Sequence, residues 1–580
     1  MKTTLKAIIL VVCFVTATRL TYKIHGSPKV GVDDANIFFS YAENLAMGNG
    51  ITYAHNPDRV EGFTSMLWML ICASVFSLGG GESAILVLSV CIVLLTQWIL
   101  LAAMSRLLSE KNGEAWPYEY FYLILILCSP AYVTWMTITL MDTCLWGLIV
   151  VAMIYFVLLP PTSYQKRLLA FIPFALAPMA RPEGIVVAPV FACLLWLRFQ
   201  QSEFRSATKF CIGIGCAIIM SIIALTVFRF LYFGYLLPNT YYAKVSPSLA
   251  YNLQEGKNYL CRFVLSGAIV AVCVAVVLSS TASWFGSLID SIRSRRILDS
   301  GFRSSINAST ATSIAASTLL FIPVLTGGDH FGMFRFYQPA YPLLCVTLVL
   351  LLSEIRTLNS SDVRTLLAWG KRNPATPIAV GLVLTFWLYA YSSNDSWSSI
   401  RWRSSMAIEF RFAEEGIVTG EKLNALFAAK GHELPAVGVI VAGGIARTYP
   451  GPIVDLMGLN NNFVAHFKGA RKGIKNHAAF EKDAFFHLQQ DILLASPPVP
   501  PETNNFSNTA LKGLLEDSRF TAQWRYGILS LHGDQIVEQT AFVNTTFLDS
   551  VSDDAGFDFH DTMIWSNKWV GATVIPTQEN

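Results

Sequence analysis

The chain has 580 residues, of which 53% are hydrophobic, 13% aromatic and only 14% charged, with a formal net charge of +3 and a mean hydropathy of +0.47. Soluble domains carry about 25% charged residues, so this composition excludes a soluble enzyme, a disordered chain and a fibrous repeat, and leaves a polytopic membrane protein. The small, scattered positive charge gives no sign of a nucleic-acid partner.

A membrane-spanning helix takes about 20 apolar residues. The first run, residues 7–18, follows Lys2 and Lys6. It reads as a transmembrane helix with a cytoplasmic N-terminus rather than a cleaved signal peptide. Further runs centre near Leu70, Leu94, Leu125, Val150, Ala175, Val190, Ile222, Val270, Ala315, Leu348 and Val383. Connections at 166–167, 198–209, 293–303 and 356–372 are rich in Arg and Lys, which predicts that they face the cytoplasm. The opposite side then carries residues 31–61, 140–142, 181–184, 234–257 and 327–335. Twelve crossings would break that alternation. Residues 63–78 are therefore expected to be re-entrant or to lie on the membrane surface, leaving about eleven crossings.

After Tyr391 no spanning run remains. Residues 1–392 read as the transmembrane domain, with 21–63 as its first periplasmic loop and juxtamembrane helix. Residues 393–580 read as a periplasmic α/β domain, with strands at 436–441 and 453–456 and helices at 408–413 and 422–429. The eleven cysteines fall almost entirely in apolar runs, without CxxC spacing or a neighbouring His. They read as packing residues, not zinc ligands.

Polar residues at membrane depth usually have a function, and here they gather at run ends on one side. Asp33 and Asp34 open an amphipathic stretch with Ile37, Phe38, Tyr41 and Leu45 on one face and Asn36, Ser40, Glu43 and Asn44 on another. That pattern predicts a helix lying on the membrane surface. The two acids suit an N-cap, a divalent-metal pair, or a base with its orienting partner. Glu61 with Trp68 suits either sugar binding or membrane anchoring. Met141-Asp142, Arg181-Pro-Glu-Gly, Asn239-Thr-Tyr-Tyr242-Ala-Lys244 and Asp329-His330 with Arg335 end other runs. Arg181, Lys244, His330 and Arg335 together read as an anion pocket, and a lipid phosphate is the natural anion at that depth.

The segments DDANIFFSYAENLAMGNGITY, VEGFTSMLW, LMDT, ARPEG, LPNTYYAK, GGDHFGMFRFYQP and IVDLMGLN occur in this order. In them the chain resembles bacterial membrane glycosyltransferases of the GT-C fold, in particular the terminal β-(1→2)-arabinofuranosyltransferase family. The resemblance implies a polytopic α-helical membrane protein of GT-C type with a C-terminal α/β extracytoplasmic domain, in a bacterial inner membrane. It implies a polyprenyl-phosphate-linked sugar donor, inversion at the anomeric carbon and a periplasmic site. The acceptor would be an envelope glycan, glycolipid or glycoprotein. Carried onto this chain, the acidic pair is Asp33 and Asp34, and the Asp-His pair of the later loop is Asp329 and His330. Asn36 stands where an aromatic is common, and Asp142 where Glu is usual.

On this reading Asp33 is the base and Asp34 its orienter, or a ligand of a divalent cation (Mg, Mn or Ca). Lys244 and Arg335, with Arg181 or His330, hold the donor phosphate. Asp329, Glu61, Asn239 and Tyr242 complete the donor phosphate and sugar contacts. Two alternatives stand beside it: a transporter or flippase for a lipid-linked sugar, and a non-catalytic envelope assembly protein.

Overall fold

The computed structural model describes residues 3–112, 115–199, 204–246, 248–293, 306–354, 401–428, 433–469, 471, 479–496, 506–531, 536–551 and 557–562. The apolar run near Val383, the basic stretch 356–372, most of 293–303 and the domain boundary at 392 lie outside these residues.

The N-terminal part is a helical bundle. In chain order its helices are α1 (Thr3–Ile24), α2 (Asp33–Ala46), α3 (Met66–Ser77), α4 (Glu82–Asn112), α5 (Trp116–Leu127), α6 (Pro130–Val133), α7 (Thr143–Leu158), α8 (Tyr164–Ala180), α9 (Gly184–Phe199), α10 (Phe204–Phe233), α11 (Asn239–Lys244), α12 (Leu249–Val264), α13 (Ala268–Arg293), α14 (Ala308–Thr326) and α15 (Tyr341–Glu354). Among the described residues, α1, α4, α10, α13 and α14 are each long and apolar enough to cross a membrane. α5 and the helical segment 130–138 form a sixth apolar unit bent by 75°. α3, α7, α9 and α15 are apolar but shorter. At 1.5 Å per residue α3 spans about 18 Å, less than the roughly 30 Å hydrocarbon core. The apolar run at 63–78 thus forms a helix too short to cross unaided.

α10 exposes Ile212, Ile219, Met220, Ile223, Val227, Phe230 and Leu231. Such an apolar stripe suits lipid, where it meets no water to order. Inward-facing side chains pack the bundle, and some of its buried polar groups pair within it. Gln97, for instance, donates to the Tyr132 hydroxyl at 2.7 Å and accepts from that of Tyr122. The eleven cysteines form no disulfide.

The C-terminal domain begins with one continuous helix, α16 (Arg401–Ala428), where two stretches were expected. A six-stranded sheet follows in the order β2-β1-β3-β5-β4-β6. Its strands are β1 (Val437–Val439), β2 (Ile453–Asp455), β3 (Ile492–Leu494), β4 (Trp524–Leu531), β5 (Val537–Asn544) and β6 (Phe557–Asp561). β1 runs parallel to β2 and β3, while β3–β5, β5–β4 and β4–β6 are antiparallel. β1 and β2 coincide with the expected strands, each slightly shorter. Phe480, Phe485, Leu511, Phe520, Trp524 and Phe542 build a separate apolar core against one part of the sheet.

The domain seats on α2. The sequence pattern predicts α2 with a wet polar face, yet Asn36, Ser40 and Asn44 are buried together with Phe38, Phe39 and Tyr41. The polar face is covered by protein. Arg447 donates to the Glu43 carboxylate at 2.7 Å and to Glu82 at 2.8 Å. It also donates to Asn36 Oδ1 at 3.0 Å, and the Tyr41 hydroxyl donates to Asn460 Oδ1 at 3.1 Å. Trp68 is likewise fully buried, its Nε1 donating to the Leu140 carbonyl at 3.3 Å. It is a core residue rather than a membrane anchor.

Candidate active site at the junction of bundle and C-terminal domain

α2 starts at Asp33 with Val32 as its N-cap, and Val32 has no side chain able to cap. Asp33 and Asp34 therefore occupy the first helical turn, where the exposed amide dipoles favour negative charge. Successive helical residues point about 100° apart, so the two carboxylates enter different surroundings.

Asp33 turns toward the C-terminal domain. Its Oδ2 accepts from the Gly443 amide and its Oδ1 from the Gly444 amide, both at 2.8 Å. A Cβ on Gly443 would come within 1.9 Å of the Asp33 carbonyl oxygen. The loop after β1 can approach this closely only because Gly stands there. Burial disfavours the charge and pushes the Asp33 carboxyl up to about 6, although the two amides pull the other way.

Asp34 turns toward the bundle. Its Oδ2 lies 3.1 Å from Arg335 Nη1 and 3.5 Å from Lys244 Nζ. Burial disfavours the charge, but Lys244 and Arg335 overcome that and hold the carboxyl down at about 2.

Arg335 is supplied by a constrained turn. After α14 the chain passes through Gly327 and Gly328, with φ of +89° and +69°. Met333 and Phe334 then adopt φ of +57° and +55°, a region that costs non-glycine residues roughly 1 kcal/mol or more each. The turn aims the Arg335 guanidinium between two acids. Nε meets Asp329 Oδ2 at 2.7 Å while Nη1 meets Asp34. The rings of Phe331, Phe336 and Trp135 lie 4.4, 5.0 and 5.7 Å from its central carbon, adding cation–π attraction. Asp329 also accepts from the His330 amide at 2.9 Å, with His330 Nδ1 at 3.4 Å. Burial works against its charge, but Arg335 and His330 hold it well below the usual carboxylate range.

Asp34, Lys244, Asp329, His330 and Arg335 thus meet in one network, though the chain separates Asp34 from Arg335 by 301 positions. Arg181 belongs to a neighbouring pair. It holds Asp142 at 3.0 and 3.1 Å and Glu183 at 3.2 Å. Arg181 and Arg335 share the Phe336 ring, at 5.2 and 5.0 Å. Between them lies a narrow cleft, with room for about one water molecule, lined also by Glu183, Trp146 and Leu319, Ile322 and Pro323 of α14.

Three expected pocket residues serve other ends. Glu61 is 2% exposed and pairs with Arg229 Nε at 2.8 Å. Burial raises its carboxyl to about 7 despite that partner. Asn239 donates to the carbonyls of Gly458 and Leu459 at 2.8 and 2.9 Å. Tyr242 packs its ring 4.4 Å from that of His466, and its carbonyl accepts from Arg471. The partners seen for these three lie in the bundle or the C-terminal domain rather than in the Asp34–Arg335 network. Asp455 accepts from the amides of Met457 and Asn460, which makes it the organiser of the turn after β2.

Both Asp33 oxygens face amide hydrogens, and Asp34 faces two cations. Among the described residues no three His, Cys, Asp or Glu side chains are grouped to hold a metal.

One residue escaped the sequence reading. Glu409 on α16 is half-buried, and burial with the nearby charges of Asp34, Asp33 and Asp329 pushes its carboxyl up to about 8. The available signal was its position among Met406, Phe410 and Ala413, the buried stripe of α16. An acid on such a stripe is out of place unless it has a function.

No family model and no curated protein matches the chain. Among solved structures it is similar to ArnT from Cupriavidus metallidurans in the apo state, with TM-score 0.48 and 11% identity over 78% of this chain and 87% of that one. The same protein bound to undecaprenyl phosphate gives TM-score 0.46 and 11% identity over 76% and 85%. The archaeal oligosaccharyltransferase AglB from Archaeoglobus fulgidus, in complex with an inhibitory peptide and a dolichol-phosphate, gives 0.40 and 9% identity over 95% and 75%.

Proposed function

We propose that the chain is a membrane glycosyltransferase that moves a sugar, with inversion, from a polyprenyl-phosphate donor to an envelope glycan, glycolipid or protein. The sugar is arabinofuranose on the motif resemblance, and the site faces the periplasm. The observation that carries this reading is the meeting of Lys244 and Arg335 with Asp34 and Asp329 at the junction of bundle and C-terminal domain. Two cations in one place suit a phosphate, and the apolar helices of the bundle suit the attached prenyl chain.

The chemistry follows from the charges. The leaving group is a phosphate, so it needs electrostatic stabilisation rather than a proton. Arg335 is fixed by Asp34 and Asp329, so it is oriented before any donor arrives. Lys244, more exposed and at 3.5 Å from Asp34, is the cation most readily shared with an incoming phosphate. Asp34 thereby acts as the organiser of both cations. The C-terminal domain covers the site from above and supplies the acceptor side.

The test uses the purified chain in lipid nanodiscs with decaprenyl-phosphoryl-arabinofuranose and an arabinofuranosyl oligosaccharide acceptor. Chain extension with release of decaprenyl phosphate is expected. Release in the absence of any sugar-bearing product, or movement of the intact lipid across the bilayer, favours a transporter instead.

A further inference from the structure

A hydroxyl attacking an anomeric carbon must lose its proton as the bond forms. Neither acid of the α2 pair is well placed to take it. Each Asp33 oxygen already accepts a backbone amide. Asp34, beside Lys244 and Arg335, is held below the usual carboxylate range and is a weak base.

α16 brings a third carboxylate to the same place. It packs against α2 and against the 332–337 turn that carries Arg335. Its buried stripe contains Met406, Phe410 and Ala413. The Ala413 backbone abuts Gly444: a Cβ there would lie 2.2 Å from the Ala413 carbonyl oxygen. Gly444 in turn donates to Asp33. Glu409 stands one helical turn before Ala413, so it shares that face. Phe410 beside it packs on His25, with ring centroids 5.6 Å apart. The charged groups that act on Glu409 are Asp34 and Asp33 from α2, and Asp329 and Arg335 from the turn. Glu409 has no hydrogen bond or ion pair to a described residue. It is half-buried, not sealed, so one side remains open to a ligand.

We propose that Glu409, on the C-terminal domain, is the general base of the transfer reaction proposed above, on which this inference rests. The acceptor oxygen forms its bond to the anomeric carbon. The bond from that carbon to the phosphate oxygen breaks, and its electron pair leaves with the phosphate. The hydroxyl proton passes to a Glu409 carboxylate oxygen and from there to water. Burial and three neighbouring acids make Glu409 a stronger base than an ordinary carboxylate, suited to work near neutral pH. The charge of a donor phosphate strengthens that effect, coupling donor binding to readiness for the proton.

The test compares wild type, Glu409→Gln and Glu409→Asp in nanodiscs, with the donor and acceptor used above. Glu409→Gln is expected to lower kcat by about 100-fold or more, with KM for donor and acceptor within a few-fold. In wild type the rate rises with pH to a plateau above about 8, and Glu409→Asp keeps that limb at reduced kcat. Infrared difference spectra need no substrate: a protonated-carboxyl band titrating near pH 8 is expected in wild type and lost in Glu409→Gln. Wild-type kcat and an unchanged pH profile in Glu409→Gln overturn the assignment and leave the glycosyltransferase reading standing. No transfer by wild type with either substrate overturns both.

Discussion

The carboxylate of Asp34 and the guanidinium of Arg335 stand 3.1 Å apart across 301 positions of sequence. Arg335 also holds Asp329, so one side chain joins the start of α2 to the turn after α14. Removing it strands a buried acid, which costs about 3–5 kcal/mol. Arg335→Ala is expected to lower the melting temperature in detergent by several degrees and to abolish transfer. Arg335→Lys keeps the charge but not the fork that reaches two carboxylates at once, and is expected to fall between the two. A wild-type melting temperature in Arg335→Ala contradicts the structural role.

The Asp33–Gly443 contact fixes the C-terminal domain over the site. Gly443→Ala puts a methyl where the Asp33 carbonyl now sits. The loop must withdraw, leaving Asp33 buried with fewer donors. Limited proteolysis is expected to release the C-terminal domain faster in this variant, with the bundle still inserted. Unchanged protection sinks the clamp.

Acid and alkali should each weaken the fold, through different carboxyls. Asp34 is held at about 2, below its ordinary value near 3.9. Its stabilising contribution is present above about pH 4 and lost as pH falls toward 2. Asp33 and Glu409 are raised, to about 6 and about 8. Their contributions are complete below about pH 4 and are lost as pH rises through those values. Melting temperature is expected to fall between about pH 4 and pH 8, and to fall less in Glu409→Gln. Equal slopes in both proteins contradict this.

Chelation should be without effect. With Asp33 on two amides and Asp34 on two cations, transfer is expected to persist in EDTA. Loss of activity restored by magnesium, manganese or calcium overturns that prediction.

The helical bundle was legible because lipid imposes long apolar runs, and the acids and bases at their ends stood out against them. That contrast marked Arg181, Lys244, His330 and Arg335 as one pocket, and the resemblance added Asp33, Asp34 and Asp329. It also singled out Glu61, Asn239 and Tyr242, although a polar residue at a run end equally suits fastening a domain. Arg229, the partner of Glu61, sits inside the apolar α10 and Gly458 lies 219 residues from Asn239, so local pattern names neither. α16 was read as two pieces because Gly416 and Gly420 interrupt it. Both glycines let the helix pack closely: a Cβ on either would crowd the 445–448 turn at 3.0 Å or less. With the helix divided, Glu409 lost the apolar stripe that singles it out.

The most direct measurement is the position of the phosphate in a cryo-electron microscopy structure of the chain bound to decaprenyl phosphate. The account predicts phosphate oxygens within hydrogen-bonding distance of Arg335 and Lys244, with the prenyl chain running along Leu319, Ile322 and Pro323. A phosphate seated elsewhere, with Asp34 and Arg335 still closed on each other, contradicts it.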